Sequence, residues 1–290
     1  NLLVIFYLYK DELDKKDFPI IKSVLHNFDP VDLEIIKQDW QTIIDKIKAG
    51  EAHNISEGDT MYLAACTKGA NAKSIRKQPF SNIPAKQRAF SLKSSYMSAF
   101  ARRVIDRQLI PSLFNVDELK SKTTLQLLQE RFAPYIGKRV SEIAKLVDIP
   151  VTKNKAFNAN LISAVLGVKG TKLESLREFS KANIKFKTIR LEPTGIPKEH
   201  MSFEQIDFHR WINDAWEDSQ LYEKFEYTKY LFVVFQYDET EKENKNREPY
   251  LKGIMLWNMP EVVIEHELKD LWKTTKSILE EGVQLTPVGN

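Results

Sequence analysis

Between Lys68 and Arg107 the chain sets ten basic side chains, Lys68, Lys73, Arg76, Lys77, Lys86, Arg88, Lys93, Arg102, Arg103 and Arg107, against one acid, Asp106. The whole sequence carries a formal net charge of only +3, so this is a local field and not a general trait. Such a field attracts polyanions, of which nucleic acid is the commonest. Small residues interleave with the charges at Gly69, Ala70, Asn71 and Ala72, and hydroxyls at Ser91, Ser94, Ser95, Tyr96 and Ser98. Small side chains let the backbone approach a phosphate or a base edge, and hydroxyls donate to phosphate oxygens. An isolated Lys/Arg run is as often a solvated face. The scarcity of acids here favours DNA or RNA.

The rest of the chain must build the scaffold for that stretch. Its 290 residues suit one large or two ordinary domains, and two is the better expectation. An apolar fraction of 42% and an aromatic fraction of 11% belong to a globular chain with real cores. No apolar run reaches the length of a membrane span. The opening NLLVIFYLYKDELDKK has no basic leader and reads as a buried strand, so residue 1 is expected to lie inside a longer fold. The single cysteine, Cys66, excludes a disulfide framework and points to a reducing cytoplasm. His26, His53, His200, His209 and His266 show no metal-ligand spacing.

Periodicity predicts a strand over Leu2–Tyr9 and a helix from Asp29-Pro30 through Ala49, with Leu33, Ile36, Trp40, Ile43, Ile44 and Ile47 on its apolar face. Gly50 terminates it. Strands follow at Thr60–Cys66 and Ala89–Lys93, then a basic-faced helix over Tyr96–Ile105. Residues 106–120 read as a linker. Helices are expected at Leu125–Phe132, Val140–Leu146 and Ala156–Leu166, and strands at Ile184–Leu191, Tyr230–Tyr237 and Leu251–Trp257. A last helix runs over Glu261–Glu281. Trp211, Trp216 and Trp257 read as packing residues.

The two halves echo each other. LLVIFYLYKDE at Leu2–Glu12 resembles LFVVFQYDETE at Leu231–Glu241. IIKQDWQTIIDKIKAG at Ile35–Gly50 matches ELKDLWKTTKSILEEG at Glu267–Gly282, which sets Trp40 against Trp272 and Gly50 against Gly282.

Several motifs together carry a resemblance. Gln38-Asp39-Trp40, Ile44-Asp45, Gly50, Gly58-Asp59, Tyr62-Leu63, Lys68-Gly69-Ala70-Asn71-Ala72-Lys73 and Phe90-Ser91-Leu92-Lys93 are similar to the C-terminal lobe of the MutH family. That family holds the GATC-nicking endonuclease of mismatch repair and related type II restriction enzymes. The resemblance implies an α/β (α+β) restriction-endonuclease-like fold, a mixed sheet flanked by helices, in two copies. Residues 1–105 would be the C-terminal lobe of a first, catalytic domain, and 121–290 a second domain.

The family's active site places a Glu on a helix, then Asp-x6-Glu-x-Lys, whose carboxylates hold Mg²⁺. The matching positions here are Ser163, Glu178, Lys185 and Lys187. A lysine in place of a metal ligand reverses the local charge, so Mg²⁺ is expected to serve the full-length enzyme and no metal to bind in this segment. The second domain would then bind DNA without cutting, and no residue of this chain would perform cleavage. By the same resemblance the DNA-binding set is Lys68, Gly69, Asn71, Lys73, Arg76, Arg88, Ser91, Lys93, Lys185 and Lys187. Lys68 would read a guanine edge, Lys73 and Lys93 would hold phosphates, and Ser91, where the mismatch-repair enzyme has tyrosine, would tolerate N6-methyladenine. Cys66 departs from the arginine that often precedes the family's loop.

The implied partners are double-stranded DNA at GATC sites, an upstream catalytic domain of the same chain, and a second copy paired on DNA. No membrane partner is implied. The favoured reading is the C-terminal part of a restriction endonuclease whose second domain is an allosteric, DNA-looping module. A rival is an autonomous Mg²⁺-dependent nuclease with ligands among Asp207, Asp214, Glu217 and Asp218, which lack a basic residue at Glu-x-Lys spacing. A non-enzymatic, sequence-specific DNA-binding protein is the third.

Overall fold

In a computed structural model, residues 2–68, 74–107, 110–154, 156–241 and 247–282 are described. The first two strands, β1 (Leu2–Tyr7) and β2 (Ile20–His26), pair antiparallel from Leu2 opposite His26. Helix α1 (Pro30–Lys48) follows, started by the Asp29 carboxylate, which accepts the Val31 N–H, and by Pro30 in its first turn. Gly50 closes it at φ 76°, and a Cβ there would meet the Phe80 carbonyl at 2.7 Å. Both constraints demand glycine.

Strand β3 (Leu63–Thr67) pairs antiparallel with β6 (Arg88–Leu92), and the hairpin of β4 (Ile75–Gln78) and β5 (Ser81–Lys86) lies between them in sequence. Helix α2 (Ser94–Ile105) ends this half. Short helices α3 (Val116–Ser121), α4 (Thr124–Phe132), α5 (Val140–Leu146), α6 (Phe157–Val165) and α7 (Arg177–Ala182) lead to the largest sheet. There β7 (Ile184–Leu191) runs parallel to β8, with α8 (Phe208–Asn213) and α9 (Gln220–Tyr227) in the crossover. Strand β8 (Lys229–Gln236) then pairs antiparallel with β9 (Tyr250–Trp257). The last helix comprises α10 (Glu261–Val263), a π-helical turn over Ile264–Leu268, and α11 (Lys269–Glu281). The architecture is α+β, with helices on both faces of a mixed three-stranded sheet.

Strand β8 is the hub because both its faces are covered, as its near-continuous apolar sequence requires. Leu231, Val233 and Phe235 point into one cluster with Leu128, Phe132, Leu161 and Phe179. Tyr230 and Phe232 point into the other with Trp211, Trp216, Phe225 and Trp272. The first cluster also takes Val31, Ile35, Tyr62 and Tyr96, so residues on either side of 106–120 share one core. Within that segment Leu113 and Phe114 are buried and α3 begins.

Several sequence expectations need correction. The buried face of α1 carries Val31, Asp32, Ile35, Asp39 and Ile43, while Leu33 and Trp40 are exposed. Two carboxylates lie on the inner face because each finds buried partners, which hydropathy does not register. The opening strand exposes Leu3, Ile5 and Tyr7, since the only strand it pairs with among the described residues is β2. Strands β2, β4 and β5 are not predicted by periodicity; β4 has only four residues, and Pro84 interrupts β5.

Candidate nucleic-acid interface

The basic stretch is built on a tether. The Asp39 carboxylate, buried on α1, accepts the N–H groups of Met61 at 2.7 Å, Tyr62 at 2.6 Å and Leu63 at 2.9 Å. That fixes the start of β3, whose far end carries Lys68. The Gln87 backbone then joins Lys68 to Ser74: its carbonyl accepts the Lys68 N–H at 2.7 Å, and its N–H donates to Ser74 O at 3.1 Å. Lys68 is exposed at this point. Gly69, Asn71 and Lys73 lie outside the described residues.

The remaining basic residues divide by burial. Arg76 on β4 is exposed, and Ser91 on β6 is half-buried opposite Ala64. Arg88 spends its guanidinium inside, donating to Ala65 O at 2.8 Å and approaching Glu261 at 3.4 Å. Lys93 is 4% exposed and donates to Thr60 O at 2.6 Å, and its burial pulls its pKa down. Both therefore brace the β3–β6 ladder from within. Lys86 reaches the last helix, where it bonds Glu261 at 2.6 Å and Glu265 at 2.7 Å.

A second set of charges gathers on the β8 side. Lys185 and Lys187 are two apart on β7, so they share a face, opposite Tyr230 and Phe232 of β8. With Lys224 of α9 they line a pocket of about 240 Å³, together with Phe203, Glu204, Glu174 and Thr228. Lys187 donates to Ser202 O at 2.8 Å, and Lys224 pairs with Glu204. The Lys187 and Lys224 ammoniums lie 5.2 Å and 4.9 Å from the Phe203 ring centroid. Burial, and then the charges of Lys187 and Lys185, lower the Lys224 pKa. Sequence reasoning missed Lys224; the signal was a lone lysine in the acidic, aromatic stretch 207–227.

The other two positions of that set do not join the pocket. Glu178 is fully buried, accepting from the Ser112 hydroxyl at 2.5 Å and the Leu113 N–H at 3.0 Å. Ser163 is buried and donates to Thr171 O at 2.9 Å. Among the rival acids, Asp207 caps α8, Asp214 faces Arg210 at 3.5 Å and Glu217 faces Lys269 at 3.9 Å. Among the described residues no three His, Cys, Asp or Glu side chains are grouped to hold a metal, and no helix is long and apolar enough to cross a membrane.

Residues 170–270 match the family described as "DNA mismatch repair enzyme MutH". The chain is also 37% identical to the type II restriction enzyme Sau3AI of Staphylococcus aureus, over an alignment of 298 positions. The segment 170–270 is MutH-like in sequence. The alignment with Sau3AI covers 98% of this chain but only 60% of that relative, so the chain spans less than two thirds of the enzyme's length. Restriction enzymes of this kind are generally Mg²⁺-dependent. The MutH-type positions here do not fit the ion. Lys185 brings positive charge where an anionic oxygen ligand is needed, Lys187 keeps the lysine of the pattern, and the Glu178 carboxylate is committed to Ser112 and Leu113.

Proposed function

We propose that this chain is part of a type II restriction endonuclease that recognises GATC in double-stranded DNA, and that its 121–290 region binds DNA without cutting it. The observation that carries this reading is the lysine-lined pocket at the MutH-type motif, where Lys185 stands in place of the metal-binding glutamate and Lys187 keeps the lysine. That pocket suits a phosphate and repels Mg²⁺. Cleavage would belong to an upstream catalytic domain supplying the carboxylates and the metal. The strand–strand–helix order of β1, β2 and α1 repeats that of β8, β9 and the last helix, which supports two copies of one fold. In the second copy a third strand, β7, lies parallel to β8; among the described residues β1 pairs with β2 alone and exposes apolar side chains.

In this reading Lys68 reads a guanine edge from beside Gln87, and Arg76, Lys185 and Lys187 contact phosphates. Gly69, Asn71 and Lys73 would form the inserted loop, and Ser91 would lie near the target adenine. Arg88 and Lys93 would shape the interface from behind. The second region would engage a second GATC site and, through DNA looping or pairing of copies, assist the first to cut in the cytoplasm.

Binding to a short GATC duplex and to a scrambled one, across a salt series without Mg²⁺, tests this. Expected are a preference for GATC, a steep salt dependence of about 0.9 per phosphate contact, and no cleavage once Mg²⁺ is added. Cleavage by this chain alone, or binding to neither duplex, would refute it.

A further inference from the structure

We propose that Lys185, Lys187 and Lys224 form a phosphate-binding site whose ligand is represented, in the free protein, by the carboxylate of Glu204. The inference deepens the DNA-binding reading above, on which it rests only for the source of the phosphate.

Three ammonium groups converge on one small pocket from two elements, β7 and α9. Like charges crowd together at a cost, and the lowered Lys224 pKa has the two neighbouring lysines among its causes. Such a cluster is offset by an anion. Of the two carboxylates that line the pocket, the one paired with Lys224 is loose: Glu204 is 77% exposed in its side chain, whereas Lys224 is 19% exposed. The carboxylate side of the pair is open to solvent, so a phosphate, with more charge and more acceptor oxygens, can take its place. The cover over the site comes from the same segment. Ser202 O holds Lys187, and the Phe203 ring lies beside both Lys187 and Lys224. Moving Glu204 outward opens the pocket without breaking the β7–β8 ladder. Glu174 also lines the pocket and limits its net charge. Lys224 comes from outside the Asp-x6-Glu-x-Lys pattern, so the site is not simply that motif with its ligands changed.

The test uses the whole chain in three forms: unaltered, Lys224→Gln and Glu204→Gln. Duplex affinity is measured across a salt series, and acetylation of Lys224 is followed by mass spectrometry with and without inorganic phosphate. Lys224→Gln should weaken duplex binding and make the salt slope shallower by about 0.9, the value of one phosphate contact. Glu204→Gln should tighten binding, and phosphate should protect Lys224. Glu204 is exposed, so its variant keeps the test decisive if Lys224→Gln fails to fold. Normal duplex binding with both variants unchanged and no protection overturns the site while leaving the DNA reading intact. Protection by phosphate in a chain that binds no duplex supports the site, with a free phosphate as ligand, and removes the DNA reading instead.

Discussion

The Asp39 carboxylate holds the Tyr62 N–H at 2.6 Å, and with it the N–H groups of the residues on either side. One buried side chain of α1 thereby sets where β3 begins, and so where Lys68 emerges. Asp39 lies within the Gln38-Asp39-Trp40 motif that carries part of the MutH resemblance. Its pKa is raised by burial, opposed by those three N–H groups and by the charge of Lys93. Replacing it with alanine leaves buried donors unsatisfied, at about 1–3 kcal/mol each before relaxation. Asp39→Ala should therefore lower the urea midpoint sharply, and a midpoint within error of the parent would contradict the tether.

Asp32 on α1 and Lys181 on α7 form a buried ion pair, with the Tyr96 hydroxyl donating to the same carboxylate at 2.9 Å. The Lys181 ammonium also lies 4.8 Å from the Tyr96 ring centroid. Removing one charge strands the other, so Lys181→Met should destabilise the chain by about 3–5 kcal/mol. The double replacement Asp32→Leu with Lys181→Met should recover a good part of that loss. A denaturant series on Asp32→Leu, Lys181→Met and the double variant checks it, and additive losses would count against direct pairing.

Glu226 on α9 faces Glu261, Glu57 and Arg88, and its Oε1 accepts the Glu57 N–H at 3.0 Å. Burial, and then the Glu261 charge, push its pKa up to about 8. The folded state thus holds a proton that the unfolded chain releases near 4.5. The stability contributed is complete below that lower value and is lost as the pH rises through about 8. Glu226→Gln should flatten this fall across pH 5 to 8 in thermal melts. A variant with the parent's pH profile would place the titration elsewhere.

Ser91 lies opposite Ala64 in the β3–β6 ladder, half-buried at the proposed DNA face. If a small residue there admits N6-methyladenine, binding to methylated and unmethylated GATC duplexes should agree within a few-fold. Ser91→Tyr should then bind the methylated duplex less well. Strong inhibition of the unaltered chain by methylation would exclude this role.

Lys68 is exposed where its N–H meets the Gln87 carbonyl. Lys68→Ala should reduce discrimination between GATC and scrambled duplexes by about 1–3 kcal/mol, as expected for loss of a base-edge contact. Equal weakening on both duplexes would make Lys68 a phosphate contact instead.

Strongly patterned segments were legible before any coordinates. The strand Ile184–Leu191 has the bounds its alternation predicts, and α1 starts at the Asp29-Pro30 signal and stops at Gly50. Local chemistry decides such features, so sequence carries them. A MutH likeness was legible too, but the motifs around Asp39, Gly58 and Lys68 that carried it lie outside residues 170–270, where the family match falls. Burial was not legible. Trp40 and Trp272 occupy matching positions in the repeat, yet Trp40 is 46% exposed and Trp272 only 6%. Nothing local distinguishes them; the difference lies in which elements pack above each helix. Lys93 and Lys68 likewise look alike as basic residues, and only the fold turns one inward to Thr60 and leaves the other at the surface. The lysine pocket shows the same limit. The sequence by itself placed Lys185 and Lys187 on one face of a strand, because side chains alternate with period two. That Lys224 joins them, and that Glu204 answers their charge, depends on where α9 and residues 202–204 come to rest, which only long-range packing decides.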